Sequence, residues 1–385
     1  MKAYCLVAVV FIAAGIVAAC DAPDGTPVTP RYTPPSVTVP PLSTQILTET
    51  PSAAPTAAPI PEDPIIAEPT KPRALARKDG TPADAQLLVG DEQFDKGAFK
   101  ESEAAYKKAM QLAPKDPAPI VGVARARLAK EEVPVDFNSA PKNATLTACV
   151  VELRRAIKLD KDYAQAHLEL GRALLVQGKA EDALASIRRA LELDGTEAEA
   201  HSALGVGLLA TGDLENAVVA LVKAAELEPK SAARHSNAGT ALVAAGRLAD
   251  GIKAYEMALR LAPKDPGTLS DLGTALLASN EIDKAVEILT KAKSLSPKNP
   301  AILSNLGYAM RIKGDLKAAE AQFRAALELD DKLVSAWINL GSVQAIGGNY
   351  AEARVSLDKA KAIDPTDPRV IATLAELDDL EKNKK

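Results

Sequence analysis

Glycine recurs at Gly171, Gly205, Gly239, Gly273, Gly307 and Gly341, each 34 residues after the last. A fixed period of this length is the mark of stacked copies of one supersecondary unit. Each copy is too small to bury its apolar face alone and needs its neighbours. With that glycine placed at position 8, the repeats are 164–197, 198–231, 232–265, 266–299, 300–333 and 334–367. The frame extends backwards over 83–116, with Gly90 at position 8, and over 117–163 if an insertion near 131–144 is allowed.

The columns of this frame specify a helix pair. Position 27 is alanine in every repeat: Ala109, Ala156, Ala190, Ala224, Ala258, Ala292, Ala326 and Ala360. Position 20 is always small, and there Cys149 takes an alanine-sized seat. Position 24 is bulky, from Tyr106 through Leu221 to Phe323 and Leu357. Position 15 is Gly97, Gly178, Gly212, Gly246, Gly314 and Gly348, with Asn280 in the one uninterrupted exception. Gly and Asn are the residues that accept a left-handed backbone after a helix. Position 32 is proline in five repeats. Each repeat is therefore expected to be helix A over about positions 2–14, a tight turn, helix B over about 16–30, then a stop. Aromatics make up only 3% of the chain, which suits close helix packing through small residues.

These columns resemble the tetratricopeptide repeat: large at 4, Leu at 7, Gly at 8, Ala at 20, aromatic at 24, Ala at 27 and Pro at 32. The resemblance covers 83–367, eight repeats, with 368–385 as a capping helix and charged tail. It implies an all-α chain, a right-handed superhelical solenoid of helix-turn-helix repeats. The resemblance also implies a concave groove lined by helix A, chiefly at positions 2, 5, 6, 9, 12 and 13.

The N-terminal part differs. Residues 1–19 carry Lys2 and an apolar run, a secretory signal pattern too short for a confident membrane span. Val17-Ala18-Ala19-Cys20 resembles the bacterial lipobox, which implies Cys20 as the lipidated mature N-terminus. Residues 20–82 read as a disordered tether: 15 of the 62 residues from 21 to 82 are proline, which lacks an amide donor and fixes its own φ. Together these features place the expected body at the periplasmic face of a bacterial inner or outer membrane, held there by lipid.

Catalysis, metal and nucleic acid find no signal. No Gly-rich phosphate loop, nucleophile elbow or HExxH occurs. The net charge of -5 offers no nucleic-acid footprint. His167, His201 and His235 form a column at position 4, the packing position that Trp337 fills later; helices packed 8–10 Å apart cannot bring them to one ion. No cofactor is expected.

The candidate site is a stripe of small polar groups on the inner face. Position 5 is Ser202, Ser236, Ser270 and Ser304; position 6 is Asn237, Asp271, Asn305 and Asn339; position 9 is Thr240, Thr274, Tyr308 and Ser342. Side-chain amides both donate and accept, so such a ladder suits the backbone of an extended peptide. The asparagine column resembles that in the superhelical arm of O-linked N-acetylglucosamine transferases. The chaperone-tail clamp subtype needs a lysine at position 5, and none is present. The expected function is a lipid-anchored interaction scaffold for extended segments of envelope proteins. Two alternatives are a substrate-presenting arm for a separate enzyme and a cell-wall carbohydrate module, the latter disfavoured by a groove with little aromatic surface beyond Tyr308. The insertion at 131–144 is expected to be a surface loop, read either as a tolerated insertion or as a secondary contact made by Phe137 and its neighbours.

Overall fold

The computed structural model describes residues 73–130 and 143–383. The signal segment, Cys20, most of the tether and Phe137 lie outside the described residues. Among the described residues there are seventeen α-helices and no strand. None of these helices is long and apolar enough to cross a membrane. The chain forms two compact units, divided between Ala241 and Leu242.

The first unit holds the pairs α1 (Pro82–Asp95) with α2 (Phe99–Leu112), α3 (Pro117–Lys130) with α4 (Ala144–Leu159), α5 (Ala164–Val176) with α6 (Ala180–Leu193), and α7 (Ala198–Thr211) with α8 (Leu214–Leu227). The division falls within α9 (Ala232–Ala244). The second unit holds α10 (Leu248–Leu261), α11 (Pro266–Ala278) with α12 (Ile282–Leu295), α13 (Pro300–Lys313) with α14 (Leu316–Leu329), α15 (Val334–Ile346) with α16 (Tyr350–Ile363), and the final α17 (Pro368–Asn383). Within each unit every helix packs on the next in sequence, and successive A helices touch, as α5 does α7 and α11 does α13. This is an α-solenoid.

The turns follow from the position-15 column. Gly97, Gly178, Gly212, Gly246, Gly314 and Gly348 all have positive φ, and Asn280 takes their place at φ 61°. Several helices start on a side-chain cap: Asp213 accepts from the Asn216 amide, Asp265 from Thr268 and Asp315 from Ala318. Each cap satisfies an amide that would otherwise lack a partner at the helix end.

Positions 8 and 24 lock A to B. A Cβ at Gly205 would stand 2.3 Å from Leu221 Cγ, and one at Gly273 would stand 2.5 Å from Leu289 Cγ. The missing side chain therefore lets the bulky residue lie flat on helix A. Position 20 adds a bond to the same turn where it carries a donor. Ser102 Oγ donates to the Gly90 carbonyl at 2.9 Å, and the buried Cys149 sits with Sγ 3.8 Å from the Ala124 carbonyl.

The histidine column is structural. His167, His201 and His235 each direct Nε2 at a carbonyl six residues back, those of Lys161, Gly195 and Pro229, at 2.8, 3.0 and 2.8 Å. A carbonyl only accepts, so the proton is on Nε2. Trp337 makes the same bond, Nε1 to the Asp331 carbonyl at 2.8 Å. Position 4 thus pins α5, α7, α9 and α15 to the loops before them.

Candidate protein-interaction surfaces

In the second unit the polar stripe lies on α11, α13 and α15. The structure separates its members by depth. Ser270, Ser304 and Ser342 are buried. The Ser342 hydroxyl donates to the Ile338 carbonyl, and Thr274 donates to Ser270, each closing a bond to its own helix. Asn305 Nδ2 donates to Ser270 Oγ at 3.1 Å and to Thr274 Oγ1 at 3.3 Å, one repeat earlier. So the buried Ser270 hydroxyl anchors the Asn305 amide rather than meeting solvent. Asn305, Tyr308 and Asn339 are half-buried and Asp271 is exposed. Among the described residues Asn339 makes no side-chain hydrogen bond.

Two charges flank these amides. Asp271 is exposed as a residue, but the protein atoms around its carboxyl push its pKa up to about 7, with Asp265 adding a like-charge push. The Arg311 guanidinium stacks over the Tyr308 ring, 4.9 Å from its centre. Arg311 is buried, and burial holds its pKa below the ordinary value. Its Nε and Nη2 find no acceptor among the described residues. Arg311 stands at position 12 and was not singled out by the sequence, although its column is one that lines the groove.

In the first unit Ser202 is fully buried and Ser236, Asn237 and Thr240 are half-buried. Asn237 Nδ2 donates to Ser202 Oγ at 3.3 Å, repeating the tie between Asn305 and Ser270. Thr240 donates to the Ser236 carbonyl.

The inner face of repeats 1 to 5 is otherwise charged, a feature the stripe did not include. Arg125 Nε donates to Glu169 at 2.8 Å with both side chains 5% exposed. Arg172 bridges Glu169 and Glu199, and Arg234 bridges Glu199 at 2.6 Å and Glu228 at 2.9 Å. Burial raises the Glu199 pKa, yet Arg172 and Arg234 outweigh it and hold the carboxyl at about 2. The signal was present in the sequence: position 9 of the first three repeats is Asp91, Arg125 and Arg172.

Residues 73–81, the end of the stretch read as tether, run without helix or strand across the inner face of the first repeat. Leu75 is 2% exposed within the core of the first unit. The amides of Leu75 and Ala76 both donate to Asp91 Oδ2, at 2.8 and 2.9 Å, and those of Arg77 and Asp79 donate to the Asp84 carboxylate, at 2.6 and 3.0 Å. Arg125 Nη1 donates to the Arg73 carbonyl at 3.0 Å.

The helix pairs, the small columns and these inner faces define a repeat solenoid of the kind that presents a surface to other chains. Profiles described as tetratricopeptide repeat match residues 83–116, 152–198, 168–233, 202–266, 242–307 and 313–368. The chain belongs to the tetratricopeptide repeat family. No curated protein matches it by sequence. Among solved structures it is similar to the APC/C hetero-tetramer Cut9-Hcn1, at TM-score 0.58 and 18% identity over 79% of this chain; it spans 57% of that chain. It is also similar to YrrB, described as a TPR protein with an unusual peptide-binding site, at TM-score 0.39 and 25% identity over 49% of this chain and 97% of that one. A third is pilF of Pseudomonas aeruginosa, at TM-score 0.48 and 20% identity over 56% and 98%. The likeness to Cut9-Hcn1 is one of fold.

Proposed function

We propose that this chain is a lipid-anchored, non-catalytic scaffold of the bacterial cell envelope that binds extended segments of partner proteins on its A-helix faces. The assembly it serves is an envelope complex of the pilus or secretin, motility or cell-wall kind. The observation that carries the groove reading is the row Asp271, Asn305, Tyr308 and Asn339 in the second unit. Its members remain accessible while the hydroxyls beneath them are consumed internally. Asn305, tied back through Nδ2, keeps its Oδ1 as an acceptor, and Asn339 keeps both donor and acceptor one repeat further on, a spacing that matches a peptide backbone more readily than one particular side chain. The anchor rests on Val17-Ala18-Ala19-Cys20.

Two experiments test the two parts. Photo-reactive residues at Tyr308 and Asn339, introduced one at a time in cells, should cross-link one set of envelope proteins. The same residue at the exposed Val219 or Val355 of the B helices should not. Equal capture from both faces overturns the groove. Cys20→Ser should move the protein out of the membrane fraction, and unchanged fractionation overturns the anchor.

A further inference from the structure

We infer that the inner face of repeats 1 to 3 is a second peptide site, filled in cis by the chain's own residues 73–80, and that it admits in trans basic extended segments built around one leucine. It is separate from the polar row of the second unit and stands or falls independently of it.

The contacts are those of a bound ligand rather than of a linker passing by. A linker needs no particular groups, yet four of the amides from Leu75 to Asp79 are taken by two carboxylates at groove positions, Asp91 at position 9 and Asp84 at position 2. The one carbonyl bond, from Arg125 to Arg73, comes from position 9 of the next repeat. Main-chain recognition of this kind fixes an extended peptide whatever its sequence, while pockets select side chains. Here the pocket takes Leu75, and Arg77 supplies charge. Its guanidinium donates to both oxygens of Asp116, at 3.1 and 2.8 Å, and lies 5.9 Å from the centre of the Tyr163 ring. Asp91 is itself braced by the Tyr106 hydroxyl, at 2.8 Å. Lys78 and Gly80, at φ 59° and 79°, turn the segment out of the groove and into α1. A lysine in the left-handed region is strained, so that turn is held by what lies on either side of it.

Charge fixes the ligand class. The acceptors are aspartates and the occupant reads Arg-Ala-Leu-Ala-Arg-Lys, so a partner that replaces it is basic with a central leucine. Because the occupant is tethered, it competes at an effective concentration of about millimolar, and a partner must displace it.

The test uses the full chain and a fluorescent peptide of residues 71–81. Leu75→Asp with Arg77→Glu should free the site. This released chain should bind the peptide at least about ten-fold more tightly than the wild-type chain, because the cis competitor is gone. Adding Asp84→Asn and Asp91→Asn should remove that gain. Equal binding to wild-type and released chains, or none to the released chain, overturns the inference. If the released chain loses helicity, hydrogen exchange decides. In the wild-type chain the Leu75 and Ala76 amides should be protected, and Asp91→Asn should speed their exchange by at least about ten-fold while α5 to α7 are unchanged. Free-peptide exchange at those amides in the wild-type chain overturns it.

Discussion

Asn305 Nδ2 donates to Ser270 Oγ across 3.1 Å, joining two residues 35 apart in sequence at positions 6 and 5 of consecutive repeats. The bond gives the amide column a structural task as well as an outward one. A net hydrogen bond of this kind is worth about 0.5–1.5 kcal/mol. Asn305→Ala and Ser270→Ala, combined in a double-mutant cycle, should show coupling of that size in urea unfolding. Asn339, in the same column and without such a bond, should change stability by less than about 0.5 kcal/mol on replacement by Ala. A loss of partner capture by Asn339→Ala then reports binding rather than folding. Zero coupling between Asn305 and Ser270 contradicts the tie.

Glu199 gives the first unit a dependence on acid. Its folded pKa, about 2, lies below the ordinary 4.5 because Arg172 and Arg234 prevail over burial. The unfolded chain therefore binds the proton more readily than the folded one. The stabilisation is complete above about pH 4.5 and is lost as pH falls towards 2. At 1.36 kcal/mol per pH unit it is on the order of 3 kcal/mol. Glu199→Gln should lower stability by that order at pH 7 and flatten its slope between pH 4.5 and 2. The opening free energy of α7, measured by hydrogen exchange at several pH values, checks both.

Asp271 should show the opposite sign in the second unit. Crowding and Asp265 raise its folded pKa to about 7 from an ordinary 3.8, so the folded state holds the proton more tightly. Its contribution is fully present below about pH 3.8 and is lost as pH rises through 7. Asp271→Asn should leave the melting temperature unchanged at pH 3 and raise it at pH 8, the gap opening between those limits. A melting temperature that falls at pH 8 would mean that the ionised carboxylate has a partner. A basic partner segment facing Asp271 would supply one, so binding should weaken as the carboxyl becomes protonated.

The periodic part of this molecule was legible because its columns recur along the array and each has a local cause. Asn280 illustrates it: an Asn in a glycine column implies a left-handed turn, and its φ is 61°. Position 4 was legible as a packing site, though not the bond from Trp337 to Asp331, which depends on where the preceding loop turns. The polar stripe was legible as a row but not in depth. Whether Ser270 faces water or Asn305 is set by the neighbouring repeat. The Arg and Glu chain was only partly legible: Asp91, Arg125 and Arg172 share position 9, but the partner of Arg125, Glu169, stands 44 residues away across the insertion. Residues 73–80 were harder still. One leucine among small and charged residues after a proline-rich run has neither helical nor strand periodicity, and only the carboxylates of α1 show that the segment has a seat.

The contact between positions 8 and 24 supplies the last prediction. Gly205→Ala places a methyl 2.3 Å from Leu221 Cγ, inside any permitted contact, and Leu221 is itself 1% exposed, so neither partner can move without disturbing a neighbour. Overpacking of this kind costs about 1–3 kcal/mol. Leu221→Ala alone leaves a cavity and costs about 2–5 kcal/mol. The double variant should be less destabilised than the sum of the two, since the new methyl occupies part of the space that Leu221 vacates. A sum that is simply additive would show that the two helices already have slack at this contact. Gly97→Ala is the control for backbone strain alone: its φ is 74° and no atom beyond its chain neighbours lies within 4 Å of the added carbon, so it should cost about 1–2 kcal/mol with no coupling to any side chain.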